Sequence, residues 1–150
     1  MLLDLLSTDS DWTLTIIRII LGVVFLAHGS QKLLGWFGGT GLRRTLRTMH
    51  EALGLPVPLA FLAVAAEFFG GLGLVAGLLS RVAAAGIAAI MLVAIVLVHR
   101  RYRLFLNWFG DRKGNGFEYH LLAIALAAAI FVKGAGAASL DRLLYMSLGA

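Results

Sequence analysis

The chain has no cysteine among its 150 residues. Disulfides, thiolate metal sites and thiol nucleophiles are therefore excluded. Charge is scarce as well: Asp, Glu, Lys and Arg together make up 14% of the chain, against about 25% in an ordinary soluble protein. Proline occurs only at Pro56 and Pro58, so long helices meet few breakers. Apolar residues fill the space, at 60%. A globule of this length has too little interior to hide so much apolar surface, and hydrocarbon is the solvent that the composition fits.

The net charge is +5. Its basic residues sit in short blocks between apolar runs, a pattern that membrane orientation explains and that gives no nucleic-acid surface. The N-terminal MLLDLLSTDSDW holds three aspartates and no Lys or Arg before Arg18. A signal peptide needs a positive start, so the first apolar run reads as a retained membrane helix.

Four apolar runs organise residues 1–150 as one domain, with spans at 12–34, 57–79, 82–98 and 119–134. The first two are 23 residues each, or ~34 Å as helices, enough to cross a hydrocarbon core of ~30 Å. Ser80-Arg81 is a tight turn between the second and third. In LRRTLRTMHEALGL, Leu42, Leu46, Met49 and Leu53 share one face of an amphipathic helix at the interface. RRYRLFLNWFGDRKGNG mixes basic and aromatic groups suited to the headgroup zone. SLDRLLYMSL reads as a last interfacial helix capped by Ser139. The predicted fold class is all-α: an integral membrane four-helix bundle with short interfacial helices in its loops and at its C-terminus.

Four crossings put both termini on one side. The loops 35–55 and 100–118 carry eight Lys and Arg: Arg43, Arg44, Arg47, Arg100, Arg101, Arg103, Arg112 and Lys113. The terminal side carries three: Arg81, Lys133 and Arg142. The positive-inside rule then predicts cytoplasmic loops and outside termini in a plasma (bacterial inner) membrane. Gly70, Gly73 and Gly77 form a small-residue stripe on the second helix, suited to packing inside the bundle or to a homo-oligomer contact.

Charge inside a span costs about 2.5–3.5 kcal/mol at a helix centre, so such groups find partners facing inward. Axial counting places Arg18 ~9 Å and Glu67 ~18 Å from the terminal-side surface. An Arg18–Glu67 ion pair is predicted from that. An unpaired midplane carboxylate would instead be neutralised and become a proton carrier. A second group gathers toward the loop side: His28 and Lys32, one turn apart on one face, with His99, Glu118 and His120. These six (His28, Lys32, Glu67, His99, Glu118 and His120) are the ligand-binding or proton-relay candidates. No two histidines share a helix at metal-ligand spacing, so no metal site is expected. GGTG at 38–41 lacks the spacing and the preceding strand of a nucleotide-binding turn.

The segments RIILGVVFLAHGSQKLLGWFGG, AEFFGGLGLVAGLLSR, MLVAIVLVH and GFEYHLLAIALAAAIFVKGAGAASLD, in this order, resemble the DoxX family of small four-helix membrane proteins. The resemblance runs from about Leu14 to Leu144. It implies a membrane subunit near quinone or redox traffic, since some relatives are subunits of thiosulfate–quinone oxidoreductases and others accompany membrane thiol and oxidative-stress systems. The leading expectation is a redox-associated subunit, with a possible redox partner, binding a quinone-like or small amphipathic ligand. The alternatives are a small-solute permease and a structural assembly factor of a larger membrane complex.

Overall fold

The computed structural model describes residues 2–110 and 113–149. Arg112, counted above among the basic loop residues, lies outside the described residues. The helices are α1 (Leu2–Leu6), α2 (Trp12–Leu33), α3 (Gly41–Leu53), α4 (Val57–Ala76), α5 (Ser80–Ala94), α6 (Glu118–Lys133) and α7 (Leu140–Leu148). Beyond α5 the chain continues through a π-helical turn, Ile95–His99, and a 3-10 turn, Arg100–Tyr102. No strand occurs among the described residues. The fold is all-α, as the hydropathy pattern predicts.

Among the described residues, three helical segments are long and apolar enough to cross a membrane: Trp12–Leu33, Val57–Ala76 and Ser80–Tyr102. The fourth bundle helix, α6, has 16 residues, ~24 Å, and packs against α5 and α2. α4 stops three residues before the predicted end because Gly77 takes a left-handed φ of 69° and its N–H returns to Gly73 and Leu74 carbonyls. Outward faces are apolar, with Ile20, Leu62, Phe69, Leu122 and Val132 all exposed. Inside, Leu21, Phe25, Leu74, Ile87, Ala127 and Ile130 form the core.

α2 and α4 run antiparallel in close contact, and glycines set their register. A Cβ on Gly22 would lie 2.7 Å from the Val75 nitrogen, one on Gly71 would lie 2.3 Å from the Leu26 nitrogen, and one on Gly29 would lie 2.5 Å from the Phe68 Cα. Each pair of residue numbers adds to 97. The glycines that let the backbones touch are thus Gly22, Gly29 and Gly71. Of the stripe read from sequence, Gly70 lies against Ala83 and Ile87 of α5, where a Cβ would meet ordinary contacts at 3.6 Å, Gly73 lies against Leu78 and Ala83, and Gly77 ends the helix and fits against Ser139 and the Arg18 guanidinium.

That register overturns the predicted Arg18–Glu67 pair. Glu67 lies level with Ser30, and Arg18 level with Leu79, ~18 Å apart along the bundle. The prediction had aligned the ends of the two apolar runs, whereas α2 projects about six residues beyond Leu79, the predicted end of the second run. Arg18, 1% exposed, instead binds four carbonyls. Its Nε donates to Ala135 (2.8 Å), Nη1 to Leu74 and to Val75 (3.0 Å), and Nη2 to Ala138 (2.6 Å). The Leu74 and Val75 carbonyls end α4, where a cation suits both the free acceptors and the macrodipole. Arg81 does the same for Phe131 and Val132 near the end of α6. Asp141, 2% exposed, accepts from the N–H groups of Leu79 (2.6 Å) and Ser80 (2.8 Å) and so caps α5 from another helix. These bonds close the terminal end of the bundle.

Candidate functional site

At the opposite end the helices part around a cavity of about 540 Å³. Its apolar wall includes Phe25, Ala63, Ile90, Met91, Ala94 and Leu97. Of the residues singled out from sequence, His28, Lys32, Glu67, His99 and His120 line it. Glu118 does not: its Oε2 accepts from the Leu106 N–H at 3.1 Å and anchors the preceding loop.

Each polar group is positioned by local structure. Lys32 lies one turn beyond His28 on the last turns of α2. Its Nζ stands 2.5 Å from Glu67 Oε1, within one turn of the level that the α2–α4 register assigns to Glu67. The Glu67 side chain is 4% exposed and that of Lys32 31%, so the cation reaches in from the wetter end to a carboxylate fixed inside. The π-helical turn carries His99, and π turns recur at functional sites. His99 Nδ1 is 2.9 Å from the Asn115 carbonyl, and its ring lies 4.1 Å, centroid to centroid, from that of His120. Tyr119 packs beside His28 and His120.

Among the described residues, Glu67 Oε2, Tyr119 Oη and His120 Nδ1 are buried without a hydrogen-bond partner. All three belong to residues on the wall of this one cavity. Buried polar atoms are usually satisfied, so three orphans on residues lining one apolar space form a cluster of unspent donors and acceptors beside it. Ser80 Oγ is also buried without a partner, but it lies at the terminal end, beside the Asp141 cap. Tyr119 was not singled out from sequence. An aromatic at the start of a membrane helix reads as an interfacial anchor, and only its position between Glu118 and His120 signals otherwise.

Among the described residues, no three of the His, Asp and Glu side chains cluster closely enough to hold a metal ion. The chemistry available is hydrogen bonding, proton transfer and charge compensation inside an apolar chamber.

The pattern that defines the DoxX family matches residues 13–100, more than half of the chain. The chain belongs to the DoxX family. It is also similar to inner membrane protein YqjF of Escherichia coli (strain K12), at 30% identity over 134 residues, covering 89% of this chain and 93% of that one. No solved structure matches it. Family and apolar helices together make this a membrane protein. The DoxX match takes in Lys32, Glu67 and His99 but ends before α6, so Tyr119 and His120 fall outside it.

Proposed function

We propose that this DoxX protein is a membrane subunit whose chamber binds a quinone-like amphipathic ligand and exchanges protons with it. One observation carries the reading: the three residues with a buried, unpartnered polar atom around this end of the bundle, Glu67, Tyr119 and His120, all line a single apolar cavity. Its volume falls within the ~300–1,000 Å³ of small-molecule sites. A ring bearing two oxygens matches this donor and acceptor set. The Tyr119 hydroxyl and a His120 N–H donate to carbonyl oxygens. Glu67 Oε2 accepts from a hydroxyl while Lys32 holds Oε1. A bound quinone would supply two-electron redox capacity. The residues contribute orientation, exclusion of bulk water and a short proton path through His120 and His99. Sulfur chemistry would have to come from a partner, since the chain has no thiol. We place loops 35–55 and 100–118 on the cytoplasmic side from their basic residues.

The test is extraction in mild detergent, mass spectrometry of co-purified lipids, and titration with a decyl-benzoquinone. Saturable binding that weakens in Tyr119→Phe and in His120→Leu supports the site. No co-purified quinone and no saturable titration would overturn it.

A further inference from the structure

The chamber has two kinds of wall. Toward the loops it is roofed by Met49, Leu53 and Leu55 around the end of α3 and by Leu106, Asn115 and Gly116. That second part of the roof is laced. Gly116 N–H donates to the Phe105 carbonyl (3.2 Å), Phe117 to Arg103 (3.2 Å) and Glu118 to Leu104 (2.8 Å). The Leu106 N–H is held by Glu118 Oε2, and the Asn107 N–H by Asn115 Oδ1 at 3.1 Å.

The lateral wall differs. Val93 and Leu97 line the chamber and are 47% and 42% exposed, and they are flanked by Leu92 and Val96, which do not line it and are 53% and 51% exposed. Ala94 and the α4 residue Ala63 also line the chamber, so its wall includes small side chains from both helices. Leu97 belongs to the π-helical turn, where the regular ladder of α5 has already given way. Side chains that are both chamber wall and lipid surface mark an opening.

We infer that the chamber is entered sideways from the lipid, between α4 and the α5–π segment, and that its ligand is a membrane lipid with a polar ring and a long apolar tail. The ring lies among Glu67, Tyr119 and His120, and the tail leaves past Val93 and Leu97 into the acyl chains. This inference rests on the ligand site proposed above and specifies its ligand class and route. A water-soluble metabolite would need the roof to open instead.

The experiment compares two probes on the full-length protein in lipid nanodiscs: a dimethoxy-methyl-benzoquinone without a tail, and the same ring with a decyl chain. Val93→Trp combined with Leu97→Trp narrows the opening. It should weaken the tailed probe by about tenfold and leave the tail-less one within about twofold. Val93→Ala combined with Leu97→Ala widens the opening. It should speed association of the tailed probe by about threefold. Equal effects on both probes, or no effect of either double variant on the tailed probe, would overturn the lateral route while leaving the site intact. Failure of both probes to bind the wild-type protein would overturn the site itself and the route with it.

Discussion

Removing Lys32 is the most informative perturbation of the chamber. In Lys32→Met the stem volume is roughly kept and the charge disappears, leaving the Glu67 carboxylate, 4% exposed, without its cation. Stripping one partner from a buried pair costs about 3–5 kcal/mol in general. Lys32 is about one-third exposed, so screening reduces that figure. A loss of about 2–3 kcal/mol follows. At about 2–4 °C per kcal/mol, the midpoint falls by about 4–12 °C. The opposite variant, Glu67→Gln, strands a flexible lysine that can turn toward the interface, and costs less, about 1 kcal/mol. The double variant recovers part of the Lys32→Met loss. Thermal unfolding followed by tryptophan fluorescence in detergent reads all three proteins. If Lys32→Met is no less stable than Glu67→Gln, or if the double variant is no better than Lys32→Met, the ion pair does not hold Glu67 in the way described.

Other outcomes follow from the same geometry. Gly71→Ala drives a methyl into the α2 backbone and should cost about 1–3 kcal/mol. Gly70→Ala, one residue away and in open contact, should be neutral or gain up to about 1 kcal/mol from helix propensity, and unfolding midpoints of the two variants separate them. Asp141→Ala removes the cap of α5 and should cost about 2 kcal/mol, with hydrogen exchange rising first at the Leu79 and Ser80 amides. Arg18→Gln and Glu67→Gln should add in their effects on stability, because ~18 Å of axial distance separates the two sites; a double variant more stable than the sum would restore the pair that the register rejects.

Much of the fold is legible along the chain because hydropathy is a local property. Trp12 to Leu33, Val57 to Ala76 and the alanine-rich third run each announce a spanning helix by length and composition alone. Ser139 is recognisable as a cap, and its hydroxyl accepts from the Arg142 N–H at 3.2 Å. The gathering of His28, Lys32, His99 and His120 at one end was also readable, since depth along a helix can be counted at ~1.5 Å per residue. Counting fails where the starting levels of two helices are unknown. An offset of about six residues between the first two apolar runs moved Glu67 from Arg18 to Lys32. Glu118 shows the second gap: it has the right depth but points to the loop, and rotation about a helix axis leaves little trace in a helix apolar on all sides.

The sequence by itself determined the solvent, the helices and the level of most titratable groups, because each depends on the residues of one segment and the thickness of a bilayer. Only the tertiary structure decided the partners. It put Lys32 on Glu67, gave Arg18 to carbonyls at the end of α4 and just after α6, and set Tyr119 and His120 on the wall of the same chamber as Glu67. Those choices depend on how Gly22, Gly29 and Gly71 let two backbones slide into contact, and close packing between helices is a relation that no single segment encodes.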